Sequence, residues 1–229
     1  MTRARSLTSA AVALAVLVAA CGGGESQSEA PPITSPQYEA FRAQPTACGA
    51  EAPPPAFEMQ FAAPDDLGLE GTLEAVLHTS CGDIRVELDA DAAPETVNSF
   101  VFLAERGYFD GTAVHRVAPG AYVQAGDPTA SGRGGPGYVI PDEFPPAGFL
   151  YESGTLAMAN AGPGTTGSQF FIVIRDAPLP PAYSVFGTVL AGNDVIAAME
   201  AVPKGEGAIL GEQSRPLETV YLERVEILR

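Results

Sequence analysis

His115-Arg116-Val117-Ala118-Pro119-Gly120-Ala121-Tyr122-Val123-Gln124-Ala125-Gly126-Asp127-Pro128 is one of two stretches that decide the fold. The other is Ala157-Met158-Ala159-Asn160-Ala161-Gly162-Pro163-Gly164-Thr165-Thr166-Gly167-Ser168-Gln169-Phe170-Phe171. Short apolar runs of strand length occur in and around them, at 114–117, 121–125, 155–159 and 169–174. Arg116 stands near Val114, Val117 and Val123, within or beside a strand. A guanidinium there needs a partner or a purpose, and on the residues alone a structural ion pair is the default. His115 reads as a structural imidazole, because the chain holds two His and no paired carboxylate spacing. Ser168 has no nucleophile-elbow context, which argues against a serine hydrolase.

Outward from these stretches the pattern stays mostly β. Leu73–Leu77 and Ile84–Leu88 alternate on either side of Cys81-Gly82-Asp83, a hairpin signal. Pro94 opens a helix along which Val97, Phe100, Val101 and Ala104 recur, and Gly107 closes it. A second helix is expected over Asp194–Ala201 with Asn193 as its cap. The last strand is Val220–Ile227. Two helices among about eight strands fit a closed or nearly closed antiparallel barrel. Gly132-Arg133-Gly134-Gly135-Pro136-Gly137 formally matches a dinucleotide fingerprint, but Pro136 and the extended look of Tyr138–Pro141 make it a turn cluster.

The N-terminus reads as an export signal. Arg3 and Arg5 precede the apolar run Ala10–Ala20, too short to span a bilayer comfortably. Small residues then lead into Cys21-Gly22-Gly23-Gly24, which looks like a bacterial lipobox with Cys21 as the lipidated first residue of the mature chain. Residues 1–20 are therefore expected to be a signal peptide and 21–56 a lipidated, flexible tether with room for a short helical piece near Tyr38–Arg42. Residues 57–72 are expected to form an extension packing on the barrel, and 73–229 the folded domain. This places the protein outside the cytoplasm, anchored to the cell membrane through Cys21. The full chain carries 12 basic against 28 acidic side chains, a net charge of −16. Export removes Arg3 and Arg5 and no acid, which makes the balance more negative still. Such a surface repels nucleic acid and anionic lipid. Cys48 and Cys81 remain as an even pair, and a disulfide between them is favoured over two free thiols. Two Cys with the distant His78 and His115 give no zinc spacing, so no metal is expected.

The two opening stretches together resemble the cyclophilin family of peptidyl-prolyl cis/trans isomerases, over roughly residues 73–228. Supporting pieces are Glu95–Phe100, Asp127-Pro128-Thr129, Gly135–Tyr138, Asp142-Glu143-Phe144 and Ser184–Gly187. The resemblance implies a closed eight-stranded antiparallel β-barrel capped by two α-helices, with a substrate groove across its outside. It implies isomerisation of X-Pro bonds in proline-containing polypeptides, with no cofactor and as a monomer. Arg116 matches the catalytic Arg. Gln124 and Gln169 match residues that orient substrate and Arg, and Phe171 matches the floor of the proline pocket. Ala159 and Asn160 match backbone contacts to the residues before the proline. Tyr122, Leu179 and Tyr183 are assigned to the same groove. Two departures stand out. Ala121 replaces the first pocket aromatic, with Tyr122 at the usual Met position. The segment Ala177–Tyr183 is one residue shorter than the family pattern. These departures motivate an alternative, a proline-peptide binding or chaperone module with little or no turnover.

Overall fold

The alternating runs around Cys81-Gly82 pair as an antiparallel hairpin, β1 (Thr72–Thr79) and β2 (Gly82–Asp89), in the computed structural model, which describes residues 30–228. The expected signal peptide, Cys21 and the first part of the expected tether lie outside the described residues. Alternation sends Ala75 and Leu77 of β1, and Ile84, Val86 and Leu88 of β2, into the core. The remaining strands of the main sheet are β3 (Thr112–Ala113), β4 (Arg116–Ala118), β5 (Tyr122–Ala125), β6 (Thr155–Met158), β7 (Phe170–Val173), β8 (Val185–Ala191) and β11 (Tyr221–Leu228). β9 (Lys204–Glu206) and β10 (Gln213–Pro216) form a separate two-stranded hairpin.

The main sheet corrects the expected closed eight-stranded barrel. Among the described residues it has nine strands, in the order β3-β11-β1-β2-β8-β6-β7-β5-β4, and its hydrogen-bond ladder is open. Its two edges, β3 and β4, are joined in the chain by Val114 and His115 alone. The sheet curls far enough to bring its edges together, but they turn from one to the other and exchange no ladder. Val114 N instead extends the pairing on the β11 side by donating to Val220 O (2.9 Å).

Among the described residues three α-helices accompany the sheet, the two expected in the domain and a short one before it. Helix α2 (Pro94–Glu105) buries Val97, Phe100, Val101, Leu103 and Ala104 in the core. Its first turn lacks a side-chain cap of its own. The Glu143 carboxylate accepts from Glu95 N (3.0 Å) and Thr96 N (2.9 Å), placing negative charge at the positive end of the helix. Phe100 meets Phe109, Phe170 and Phe186 at centroid distances of 5.2, 5.4 and 5.2 Å, the aromatic centre of the core. Helix α3 (Asn193–Ala201) begins one residue earlier than expected. Asn193 is its first helical residue, and the cap is Gly192, at φ +103. A Cβ on Gly192 would lie 2.6 Å from Asp83 O, so backbone conformation and close approach to β2 decide the residue there.

The third helix, α1 (Pro36–Arg42), lies in the expected tether, at the short helical piece expected near Tyr38–Arg42, and begins two residues earlier; what changes is that the segment packs on the domain. Ser35 accepts from Tyr38 N (3.1 Å) to cap it, and Ile33, Tyr38 and Phe41 are buried. The Tyr38 hydroxyl donates to Gly111 O (2.8 Å) and accepts from Ala56 N (2.8 Å), closing the strap on itself and on the domain. Thr219 Oγ1 donates to Phe41 O (2.5 Å), while Ala47 N donates to Thr219 O (2.9 Å). Cys48 is bonded to Cys81 in the β1–β2 turn, with Cα atoms 5.1 Å apart. Cross-linking a loop of this size contributes about 3–4 kcal/mol. The Gly, Pro and Ser content of the segment hid a few well-placed apolar side chains. After the strap, Phe61 stacks edge-on against Phe102 of α2 (5.1 Å) and Asn98 Oδ1 accepts from Leu67 N (2.8 Å). Among the described residues no helix is long and apolar enough to cross a membrane.

Tyr38→Phe strands the buried Ala56 N–H and Gly111 carbonyl. It is expected to lower the unfolding free energy by about 1–3 kcal/mol in urea titrations with the disulfide intact. An unchanged midpoint would separate the strap from the cooperative unit.

Candidate functional site

Strand alternation builds the site. On β7, Phe170 and Ile172 face the main core, while Phe171 and Val173 face a second cluster on the outer side with Tyr151, Ala157 and Ala177. On β5, Val123 and Ala125 go inward. Tyr122 and Gln124 go outward. On β4, Val117 goes inward and Arg116 outward. Register aligns the outward set. Arg116 is opposite Gln124, Gln124 opposite Phe171, and Phe171 opposite Ala157, a row across four strands.

Eight of the sequence-expected residues surround one pocket of about 100 Å³: Arg116, Tyr122, Gln124, Ala159, Asn160, Phe171, Leu179 and Tyr183. Gln169 lies beside it, lining an adjoining cleft of about 350 Å³ with Gly134 and Ala161. Phe171 lies 5.1 Å from the Tyr122 ring and 5.5 Å from that of Tyr183, the latter pair edge to face. Tyr122 therefore supplies an aromatic wall where Ala121 has none. The altered loop also reaches the site. Asn160 Nδ2 donates to Ala182 O (2.8 Å), and the Tyr151 hydroxyl donates to Tyr183 O (3.0 Å). Those two bonds hold the end of the shortened segment, and Leu179 and Tyr183 both line the pocket.

Arg116 is held on both edges. Its Nη2 donates to both Glu212 carboxylate oxygens (2.9 Å each), and its Nε donates to Oε1 (3.3 Å). Its Nη1 reaches Gln124 Oε1 at 3.4 Å. Gln124 Nε2 donates to Gln169 Oε1 (3.0 Å), and Gln169 Nε2 to Gly134 O (3.0 Å). Arg116 Cζ also sits 5.1 Å from the Tyr122 ring centroid. Glu212 was not found from the sequence. It is 96 positions away and lies in no motif, and the only signal was that a guanidinium near apolar strand residues needs a counter-charge. The turn cluster at 132–137 wraps the buried Asp127 carboxylate, which accepts from Thr129 N (2.8 Å), Arg133 N (3.0 Å) and Gly134 N (3.1 Å). A Cβ at Gly134 would lie 2.0 Å from Asp127 Oδ1, so glycine is required where the backbone closes on the carboxylate.

Chemically the pocket offers a ring-lined hole with a fixed donor at its mouth. Burial pushes the Tyr122 phenol above its ordinary pKa, so the ring is a neutral wall. The lining contains no carboxylate–imidazole pair for proton transfer. Among the described residues no group of three His, Cys, Asp or Glu could hold a metal.

A curled β-sheet with an arginine beside an outward-facing aromatic pocket defines a half-barrel with a site on its outer face. Residues 75–227 match the family described as cyclophilin type peptidyl-prolyl cis-trans isomerase/CLD, and the chain belongs to that family. It is 42% identical over 161 residues to the probable peptidyl-prolyl cis-trans isomerase B of Mycobacterium tuberculosis, covering 64% of this chain and 52% of that protein. The chain thus spans about half the length of that relative. It is 42% identical over 173 residues to the peptidyl-prolyl cis-trans isomerase B of Streptomyces anulatus, covering 68% of this chain and 96% of that protein. Among solved structures, a cyclophilin type isomerase of Cryptosporidium parvum is similar with a TM-score of 0.63 at 29% identity, covering 69% of this chain and 98% of that one. A second structure of that protein, in the presence of the dipeptide Ala-Pro, gives a TM-score of 0.62 at 30% identity, with 68% and 99% covered.

His115 lies in the two-residue link between the sheet edges, buried, with its nitrogens toward the Ala113 backbone and Gln169 but outside hydrogen-bonding geometry. Burial lowers its pKa below the ordinary 6.5, and Arg116 pushes the same way against Asp127. A lowered imidazole pKa contributes stability above the unfolded value, and that contribution is lost as pH falls below it. His115→Asn is expected to lose less stability than wild type between about pH 7 and 5 in paired urea titrations. Equal slopes would show that the imidazole titrates alike in both states.

Proposed function

We propose that the protein is a peptidyl-prolyl cis/trans isomerase acting on X-Pro bonds of exported polypeptides, as a lipid-anchored monomer outside the cytoplasm. The observation that carries the reading is the Arg116 guanidinium at the mouth of the Tyr122–Phe171–Tyr183 pocket. Its volume of about 100 Å³ leaves room for a small ring. The proline ring enters between Tyr122 and Tyr183 onto Phe171, with Leu179 at the side. Ala159 and Asn160 offer backbone contacts to the residues before the proline.

The X-Pro amide is planar by resonance, and twisting it localises the nitrogen lone pair and leaves a carbonyl outside conjugation. A protein that binds the twisted state better than either planar one lowers the barrier with no bond made to it. Arg116 is the donor for that state, and its fixed fork is already aimed before substrate arrives. Gln124 and Gln169 keep it aimed. Export is supported by the Arg3–Ala20 leader pattern and the small residues before Cys21. The Cys48–Cys81 bond, of a kind that persists in oxidising compartments, agrees with it.

The second reading, proline-peptide binding with little turnover, draws on the Glu212 carboxylate already engaged by Arg116. A soluble chain starting after Cys21 separates the two. Wild type is expected to accelerate cis/trans exchange of an Ala-Pro peptide followed by NMR. Arg116→Ala is expected to lose about a hundredfold in kcat/KM while peptide affinity changes little. Peptide signals that shift without faster exchange would favour the binder.

The anchor is tested separately, in bacteria fed labelled palmitate. The full chain is expected to take up label and sediment with membranes, and Cys21→Ser to do neither. Label in the variant would refute the lipid site.

A further inference from the structure

We propose that Glu212 is a positioning residue for Arg116, a counter-ion that fixes which edge of the guanidinium faces the substrate; this rests on the isomerase reading above. The carboxylate takes the Nε and Nη2 edge side-on, at 3.3, 2.9 and 2.9 Å. That leaves Nη1, on the side of Gln124 and the pocket, which has two N–H groups and gives one to Gln124, with its second N–H to meet a carbonyl or a pyramidal proline nitrogen. A bidentate pair of this kind fixes a plane as well as a distance.

The backbone of Glu212 is itself pinned. It lies in the connection between β9 and β10, where Gly207 N donates to Glu212 O (2.8 Å) and Glu212 N donates to Ile209 O (3.0 Å). Leu217 N donates to Pro203 O (2.8 Å) and closes the base of the same hairpin. The Arg116 and Glu212 side chains are only 25% and 23% exposed, so water screens the pair weakly. With Gln124 holding the opposite edge and the Tyr122 ring beside Cζ, the guanidinium is restrained from three directions. The hairpin thus contributes to the site without lining the pocket.

The test compares wild type, Glu212→Gln, Glu212→Asp, Arg116→Ala and the Arg116→Ala/Glu212→Gln double variant. It measures exchange of an Ala-Pro peptide and the ¹⁵N resonance of Arg116 Nε. Glu212→Gln is expected to lower kcat about ten- to a hundredfold, with KM within about twofold, and Glu212→Asp to recover part of it. The same change in the Arg116→Ala background is expected to add nothing. In wild type the Nε–H signal is expected to be sharp and slow to exchange with water, and to broaden in Glu212→Gln. Turnover equal to or above wild type in Glu212→Gln would overturn the proposal, as would an equal loss in the Arg116→Ala background. If wild type shows no turnover, the isomerase reading falls by itself. An Nε signal unchanged by Glu212→Gln overturns the positioning role with or without turnover.

Discussion

The row of cross-strand partners Arg116, Gln124, Phe171 and Ala157 is the constraint on which the site depends. Side chains alternate along a strand, so one register assigns both surfaces of the sheet at once. Phe170 joins Phe100 and Phe109 in the core, and its neighbour Phe171 floors the pocket. A slip of one residue in β7 would exchange them, opening the core and turning the pocket floor inward. The same interior packing that stabilises the domain therefore fixes the geometry of the site. The register is over-determined, because the core residues Val117, Val123, Leu156 and Ile172 interleave with the outward row.

An open sheet has edges, and edges invite pairing with other chains. Here the two edges meet through Val114 and His115, and the strap over residues 30–56 lies alongside one of them. Its contacts converge on Gly111 and Thr219, which flank β3 and β11. The disulfide ties the strap again at the β1–β2 turn. A segment that composition alone would leave unfolded thus becomes a cover, because a few buried side chains and hydroxyl bonds offset its ordering entropy.

Local signals in the sequence were legible where the physics is local. Alternation showed β1 and β2, a Pro and a helical apolar period showed α2, and the two motif stretches brought six of the eight pocket residues into view, with Leu179 and Tyr183 added from the 177–183 segment. What needed distant partners was not legible. Whether the ladder closes depends on β3 and β4, which are too short to announce themselves. The cap of α2 comes from Glu143 and the counter-ion of Arg116 from Glu212, each far away in sequence. In the strap the helical piece near Tyr38–Arg42 was legible, but its packing was not, because Ile33, Tyr38 and Phe41 are few among the Gly, Ser and Pro around them.

Ala121 and Tyr122 show how the pocket absorbs a departure from the family pattern. Losing an aromatic at 121 removes a wall only if nothing else supplies one, and Tyr122 projects to the pocket side of β5 with its ring 5.1 Å from that of Phe171. A tyrosine there adds a second consequence, because its ring also lies 5.1 Å from Arg116 Cζ. The wall and the donor are thereby coupled, and cation–π attraction adds roughly 0.5–2 kcal/mol to holding the guanidinium. Differential binding of a twisted amide requires a donor that does not relax toward the planar state. The ring, the carboxylate and the glutamine pair supply that rigidity from three separate parts of the chain.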